Sequence, residues 1–175
     1  CALPIFEKSS NSAGWIKELT EGGHEAHTPE TEEYGMSSFV YSRRLPFHAK
    51  RFNDWLEQMP QNIVRSKGIV WLAQYNEVAC LLSQAGSSCN ISPVTYWVAS
   101  MPKEKREEIL AQRRDVAESW DIEYGDRKTQ FVIIGTDLDQ EKIEKKLDEC
   151  LLNSSEMNSD WYQLEDPYHW KIRKP

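Results

Sequence analysis

The chain lacks the sequence features of disulfide-rich or cysteine-zinc proteins, of membrane proteins and of nucleic-acid-binding proteins. Its four cysteines form no C-x-x-C pair, which argues against a disulfide framework and against a structural zinc site built from cysteines alone. No apolar run approaches the roughly 20 residues that a membrane-spanning helix needs. The formal net charge is −7 and no dense stripe of lysine and arginine exists. We therefore expect neither a membrane nor a nucleic acid among the partners.

Signals for export are missing as well. The first six residues, CALPIF, have no basic region followed by a long apolar stretch, so they do not resemble a signal peptide. Cys80 and Cys150 lie in apolar stretches, which is typical of buried, unreactive thiols that suit a reducing cytosol. The sequence therefore predicts a cytoplasmic protein. Because the chain begins with Cys1 rather than Met, we expect either a piece of a longer protein or a product of processing.

What is present favours one folded domain behind an acidic linker. A chain of 175 residues fits a single domain, and seven tryptophans favour a folded protein over a disordered one. Residues 1–35 have the composition of a linker, since the stretch 21–33 holds five acidic residues and no basic one, with Gly22, Gly23 and Pro29 as breakers. The domain itself is expected over 36–152.

Hydrophobic periodicity predicts a mixed fold. Alternation over 36–44 indicates a strand, and apolar residues at 52, 55, 56 and 59 form one face of a helix that ends before Pro60. Further strands are expected at 63–73, 78–83, 91–99 and 130–135, with a turn at Gly86. The order β-α-β-β-β-α-β-α predicts an α+β two-layer sandwich, in which helices cover one face of a mostly antiparallel sheet of four to five strands, in the ferredoxin-like style.

Two helices and a tail complete the expectation. Ser100 and Pro102 predict the start of one long helix, with Ile109, Val116 and Trp120 on its inner side. A last helix follows Asp137 or Asp139. The tail, 153–175, is polar but contains four aromatic residues, so we expect it to pack on the domain or to be partly disordered: Trp161, Tyr162, Tyr168 and Trp170.

Several segments in order resemble one known family. They are ETEEYGMSSFVY (30–41), RRLPFH (43–48), RSKGIVWLA (65–73), SQAG (83–86), GDR (125–127), residues 131–139 and LDECLL (147–152). Together they resemble the C-terminal domain of the CobW family of GTPases, over about residues 5–152. Two positions depart from the family's pattern, where a proline is usual: Leu45 and Ala49.

The resemblance implies a two-domain parent. The family's N-terminal domain is a P-loop GTPase that binds GTP and Mg²⁺, carries a Cys-x-Cys-Cys metal site and is thought to deliver zinc or cobalt to client proteins, in zinc homeostasis or a process like cobalamin biosynthesis. This chain contains neither G-x-x-x-x-G-K-S/T nor Cys-x-Cys-Cys. The expected partners are therefore its own GTPase domain and a metal-requiring client, and the expected role is not enzymatic.

The acidic linker holds the sharpest candidate for metal chemistry. His24 and His27 stand three residues apart with Glu30 nearby, and imidazole and carboxylate are ligands that Zn²⁺ accepts. A site that binds the metal ion weakly and transfers it to another protein is one interpretation, since a linker is better suited to transferring an ion than to retaining it. A solvated acidic linker that happens to contain two histidines is the other.

A second group of candidates would contact the GTPase domain or another partner. Arg43, Arg44, Arg65 and Lys67 fall on two strands expected to be neighbours, where they would form a basic patch or simply be solvated. His48, at the corner between strand and helix, is either a contact or a structural residue. No G-x-S-x-G elbow and no aspartate placed to orient His48 support a nucleophile. A direct metal-binding relay and a free-standing small-ligand enzyme stay as alternatives.

Overall fold

The computed structural model describes residues 35–173. Five strands form one antiparallel sheet in the order β1-β5-β2-β3-β4. They are β1 (Met36–Arg43), β2 (Ile63–Val70), β3 (Val78–Ala85), β4 (Ser88–Tyr96) and β5 (Thr129–Thr136). The helices are α1 (Ala49–Glu57), α2 (Lys103–Gln112), α3 (Arg114–Glu118), α4 (Gln140–Asp148) and α5 (Ser154–Met157), with 3-10 turns at Ala73–Tyr75, Val98–Ser100 and Trp161–Gln163. The predicted α+β fold is confirmed.

The core lies between one face of the sheet and helices α1 and α4. Because strand side chains alternate, every second residue of each strand points into this layer. Aromatic rings dominate it: Phe47 stacks on Phe52 at 4.3 Å between centroids, and Tyr41 lies 5.4 Å from Phe131. From α4, Ile143 and Leu147 fill the same layer and are buried. Cys80 and Cys150 are also buried here, as predicted.

Two glycines meet specific backbone demands. Gly86 has φ +57° and forms the two-residue connection between Ala85 and Ser88, which pair across the β3–β4 hairpin. Gly68 lies where β2 approaches β5: a Cβ built there would be 2.3 Å from the carbonyl oxygen of Gln130. A larger residue at position 68 would therefore push the two strands apart.

The predicted adjacency of the first two strands is wrong. β5 lies between β1 and β2, so that Tyr41 pairs with Phe131, and Phe131 pairs with Gly68. Local periodicity identifies strands but not their neighbours, because pairing depends on how the whole apolar set is buried. Arg43 and Arg65 therefore do not lie on neighbouring strands.

The predicted long helix after Pro102 is also wrong. α2 and α3 are separate, and the chain breaks between them at Arg113, with φ −112° and ψ 88°. Neither helix has a buried residue, so no apolar face holds a continuous helix together. Ser100 does not cap α2 either, since its hydroxyl donates to the carbonyls of Glu77 and Trp97.

The tail after α5 runs back over the domain. Tyr168, Trp170 and Ile172 pack against the main core, and Trp161 packs against a second cluster formed by Trp71, Ala79 and Trp97. Among the described residues no helix has the length and apolar character that crossing a membrane requires.

Candidate partner-binding face

The sheet has one open face, opposite the helix layer. Charge is distributed unevenly over the strands that build it: the chain has 28 acidic residues, yet none lies in any of the five strands. The strands carry three basic residues instead, at positions 43, 65 and 67. In a chain of net charge −7, the sheet is therefore locally positive.

Arg65 and Lys67 occupy the centre of the open face. Both are exposed, and Ser66 between them is buried and points inward, whereas Val64, at a register shift of β2, is 45% exposed. Arg65 pairs with Ile134 and Lys67 with Val132, so each cation has an apolar side chain directly beside it. Within residues 35–173 neither cation forms an ion pair. Two cations that no described residue pairs with thus stand beside an apolar row.

The apolar row continues to the edge of the sheet. Val132 pairs with Val40 of β1, which is 55% exposed. Val132 and Ile134 are only half-buried. The sequence predicted a basic patch here but not the apolar residues beside it. The run Phe131–Ile134 is typical of a strand buried on both sides, so its outward-facing residues were not expected at the surface. The period-2 alternation of β1 could have identified Val40 as outward-facing.

The other end of the open face is covered by aromatic residues. Trp71 lies 5.4 Å from Tyr124 and 6.2 Å from Trp161 between ring centroids, and Trp71 Nε1 donates to Asn76 at 3.0 Å. Trp97 joins this cluster. The accessible part of the face includes the region around Val40, Arg65 and Lys67.

Arg43 lies on the opposite side of the sheet and is engaged there. Its guanidinium donates to Asp148 at 2.9 and 3.0 Å and to Glu144 at 3.0 Å, and it lies over the ring of Tyr41. Tyr41 donates to the same Asp148 at 2.8 Å. Burial, and then this hydrogen bond, raise the pKa of Tyr41 far above its usual range. Arg43 therefore fastens α4 to β1.

Arg44 has a different structural role. Its two terminal nitrogens donate to the carbonyl oxygens of Ser119 at 2.6 Å and Gly125 at 3.2 Å. It thereby holds the loop that follows α3. The four predicted basic residues are thus divided, and only Arg65 and Lys67 share a surface.

His48 precedes α1 at a crowded corner. Its backbone N–H donates to the backbone carbonyl oxygen of Cys150 at 2.9 Å, and the residue is only 9% exposed. Burial, followed by the nearby Arg51, lowers the pKa of His48. Its Nδ1 has no hydrogen-bond partner among the described residues. The neutral imidazole therefore packs at the junction of α1 and the chain after α4.

The candidate metal ligands His24, His27 and Glu30 lie outside the described residues. Among residues 35–173, no group of three or more histidine, cysteine, aspartate or glutamate side chains could hold a metal ion. The described cysteines are free, and burial raises the pKa of Cys80 to about 12 and that of Cys150 to about 11. Such thiols remain protonated at neutral pH.

Comparison with known proteins places this geometry in a family. Residues 36–151 match the family described as the cobalamin synthesis protein cobW C-terminal domain. A protein of Dictyostelium discoideum named zinc-regulated GTPase metalloprotein activator 1 is 33% identical over 156 residues, covering 87% of this chain and 32% of that protein. A zinc chaperone of Mycobacterium tuberculosis is 28% identical over 131 residues, which cover 73% of this chain and 33% of the relative.

Among solved structures, the Zn(II)-bound YjiA GTPase from E. coli is similar with a TM-score of 0.45 and 14% identity, over 73% of this chain and 33% of that one. The chain spans about a third of the length of the curated relatives it matches. The family match covers well over half of the chain and the whole of the five-stranded sheet. This chain therefore belongs to the family of CobW C-terminal domains.

Proposed function

We propose that this chain is the non-catalytic C-terminal domain of a GTP-dependent chaperone for zinc or cobalt, and that its open sheet face contacts the GTPase domain or the client protein. The observation that carries this proposal is the open face itself. It presents Arg65 and Lys67, with no acidic residue in any strand, beside the exposed apolar side chain of Val40. An apolar row with charged groups beside it is a frequent composition of protein interfaces.

The chemistry of the parent belongs to the rest of the protein in this proposal. GTP and Mg²⁺ are held by a P-loop, and the sequence of this chain contains none. The two buried thiols of the domain are poor nucleophiles because burial raises their pKa. Free thiols also agree with a cytoplasmic location. The domain then acts through binding.

The positive charge and the apolar row of the open face determine which partner surface is complementary to it. Each exposed cation gains little from one exposed anion, but covering the row from Val40 to Lys67 removes apolar area from water and strengthens the charge contacts. A partner surface with carboxylates around an apolar centre satisfies both requirements. The relatives' names include a GTPase metalloprotein activator and a zinc chaperone, which agrees with such a regulated contact.

The contact is tested with the GTPase part of the parent protein, supplied as a separate chain loaded with GTP or GDP. Calorimetry measures its binding to residues 1–175 and to the variant Arg65→Glu/Lys67→Glu. We expect the double reversal to weaken binding at least about tenfold, since each desolvated charge contact contributes about 1 kcal/mol or more. The matched control is Lys103→Glu/Lys105→Glu on α2, which changes the net charge equally. Equal loss in both variants would reject the open face as the contact.

A second proposal concerns the linker. His24, His27 and Glu30 would form a weak zinc relay site between the GTPase domain and a client, which the zinc-related names of the relatives favour. Zinc titration of the chain in competition with a chelator tests it, beside His24→Ala/His27→Ala. One-to-one binding that the variant abolishes supports the relay, whereas binding no tighter than about millimolar rejects it. His169→Ala is the control for a histidine elsewhere.

A further inference from the structure

A separate cavity of about 360 Å³ lies between the 3-10 turn at Ala73–Tyr75 and the C-terminal tail. Three aromatic residues line it, Tyr75, Tyr162 and Trp170, together with Glu77. Its remaining lining residues are Gln74, Ile172 and Arg173. The volume lies at the lower end of the range of small-molecule sites.

The rings are held in place by their neighbours. Tyr75 is 4% exposed, and its centroid lies 4.8 Å from that of Trp170, with the ring planes inclined at 46°. Trp170 also stacks on Tyr168 at 4.4 Å, and its backbone N–H donates to the Tyr75 hydroxyl at 2.9 Å. Tyr162 also lines the cavity and is 64% exposed. Two rings are therefore preorganised and the third is accessible.

Both tyrosines donate their hydroxyl hydrogens to carboxylates. Tyr75 donates to Asp166, and Tyr162 donates to Glu77. A phenol that donates to an anion has a more electron-rich ring, whose face attracts a cation more strongly. The hydrogen bond from Tyr162 to Glu77, and then burial, raise the pKa of Tyr162 to about 12, so the phenol keeps its proton at neutral pH.

We propose that this cavity binds an organic cation, namely an alkylated ammonium or a guanidinium group, against Tyr162 and Trp170 with Glu77 as the counter-charge. Aromatic rings bind such cations well because these ions are weakly hydrated, whereas a small inorganic cation would lose a strong hydration shell. The cation belongs either to a free small molecule or to a lysine or arginine side chain of a partner. Arg173, which lines the cavity, and Arg127, whose charge interacts with Glu77, both oppose the cation electrostatically, and Arg173 therefore supplies a test with a defined sign.

The first experiment tests whether the positive charge of the ligand, and not only its shape, is required for binding. The full chain is titrated with choline and with its neutral isostere 3,3-dimethylbutan-1-ol, followed by NMR of the tryptophan indole N–H groups. We expect choline to bind about tenfold more tightly than the isostere. Equal affinity, or no shift of any indole signal up to about 10 mM choline, overturns the proposal.

Variants locate the site. Tyr162→Leu should weaken choline binding about fivefold, while Tyr162→Phe, which keeps the ring, should weaken it less. Circular dichroism controls for folding, and Val40→Leu on the open face is the remote control. Arg173→Ala should strengthen binding because it removes the opposing charge. Weaker binding by Arg173→Ala would show an anion site and contradict the proposal.

The source of the cation is settled by a glycine-flanked peptide carrying one trimethyllysine or one arginine. Tighter binding of either peptide than of choline supports a partner side chain. Tighter binding of choline supports a free cation. Both results rest on the same cavity, and neither depends on the metal-chaperone proposal.

Discussion

Arg51 and Glu156 form a two-point ion pair that fastens α1 to α5. The two terminal nitrogens of Arg51 lie 2.6 and 2.7 Å from the two carboxylate oxygens of Glu156, and one of them also donates to the Leu151 carbonyl at 2.8 Å. Glu156 closes a capping box with Asn153 at the start of the same short helix. One carboxylate therefore holds both a helix end and a helix pair.

This arrangement predicts a stability loss at low pH. The bond from Arg51 lowers the pKa of Glu156 from 4.5 to about 2. A carboxyl group with a lowered pKa contributes stability that is present above its unfolded value and lost as the pH falls toward about 2. We expect Glu156→Gln to destabilise the domain by about 2 kcal/mol at pH 7 and by much less at pH 2.5.

Urea unfolding at the two pH values measures this difference. Glu149→Gln is the control, since Glu149 pairs with Lys146 on the surface and both side chains are more than half exposed. A Glu156→Gln penalty that does not change with pH would show that the ion pair contributes nothing.

The close approach of β5 to Gly68 predicts that Gly68→Ala, which adds one methyl group, strongly destabilises the domain. The Cβ of Gly68→Ala would lie 2.3 Å from the Gln130 oxygen and 2.4 Å from the Phe131 Cα, both backbone atoms, at φ +155°. We expect a loss of about 3 kcal/mol in the free energy of unfolding. Gly86→Ala is the matched control: it meets no atom within 4 Å and carries only the strain of φ +57°, about 1 kcal/mol. Equal losses in thermal or urea unfolding would contradict this account.

Asp126 explains why the segment Gly125-Asp126-Arg127 is structurally demanding. Its carboxylate accepts from the backbone N–H groups of Val98 at 2.8 Å and Ala99 at 2.9 Å. Gly125 has φ +68° and a Cβ there would be 2.5 Å from Ala99. Arg127 donates to the Asn76 carbonyl at 2.9 Å. The segment anchors the turn that leads out of β4.

We therefore expect Asp126→Ala to lower stability by about 2 kcal/mol, because two backbone donors lose a charged acceptor. Asp126→Asn keeps one acceptor oxygen and should lose about half as much. Hydrogen exchange at Val98 and Ala99 should accelerate in both variants. Unchanged exchange would mean that water replaces the carboxylate without cost.

The sheet predicts one further difference, between its two surfaces. Val40→Lys places a cation on the open face and should change stability by less than about 1 kcal/mol, since Val40 is 55% exposed. Phe131→Lys, on the neighbouring strand but facing the helices, should prevent folding because Phe131 is 1% exposed and packs among aromatic rings. Circular dichroism of both variants checks the assignment of the two faces.

Local patterns in the sequence determine much of this fold. The alternation over Met36–Arg43 and the helical spacing of Phe52 and Trp55 identify β1 and α1, since one face of each is apolar. Long-range order is different. No local sequence pattern predicts that β1 pairs with β5, because strand pairing depends on how all the apolar residues of the domain are buried together. The break at Arg113 also has no strong marker, since α2 lacks an apolar face.

The same limit applies to the candidate sites. The sequence identifies Arg65 and Lys67 as strand residues, and only the pairing with Val132 and Ile134 shows that they stand over an apolar row. It separates Tyr75 from Trp170 by a long stretch of chain, and their proximity depends on where the tail runs. The carboxylates that accept from the two cavity tyrosines cannot be assigned from spacing.

The position of β5 between β1 and β2 has a consequence for synthesis of the chain. Met36 pairs with Thr136, one hundred residues later, so β1 has no strand partner until almost the whole domain has left the ribosome. The hairpin of β3 and β4 can form early, because its strands are joined by two residues. Closing the sheet is thus a late, non-local step that costs loop entropy. Until it occurs, the apolar side of β1 needs protection from other nascent chains.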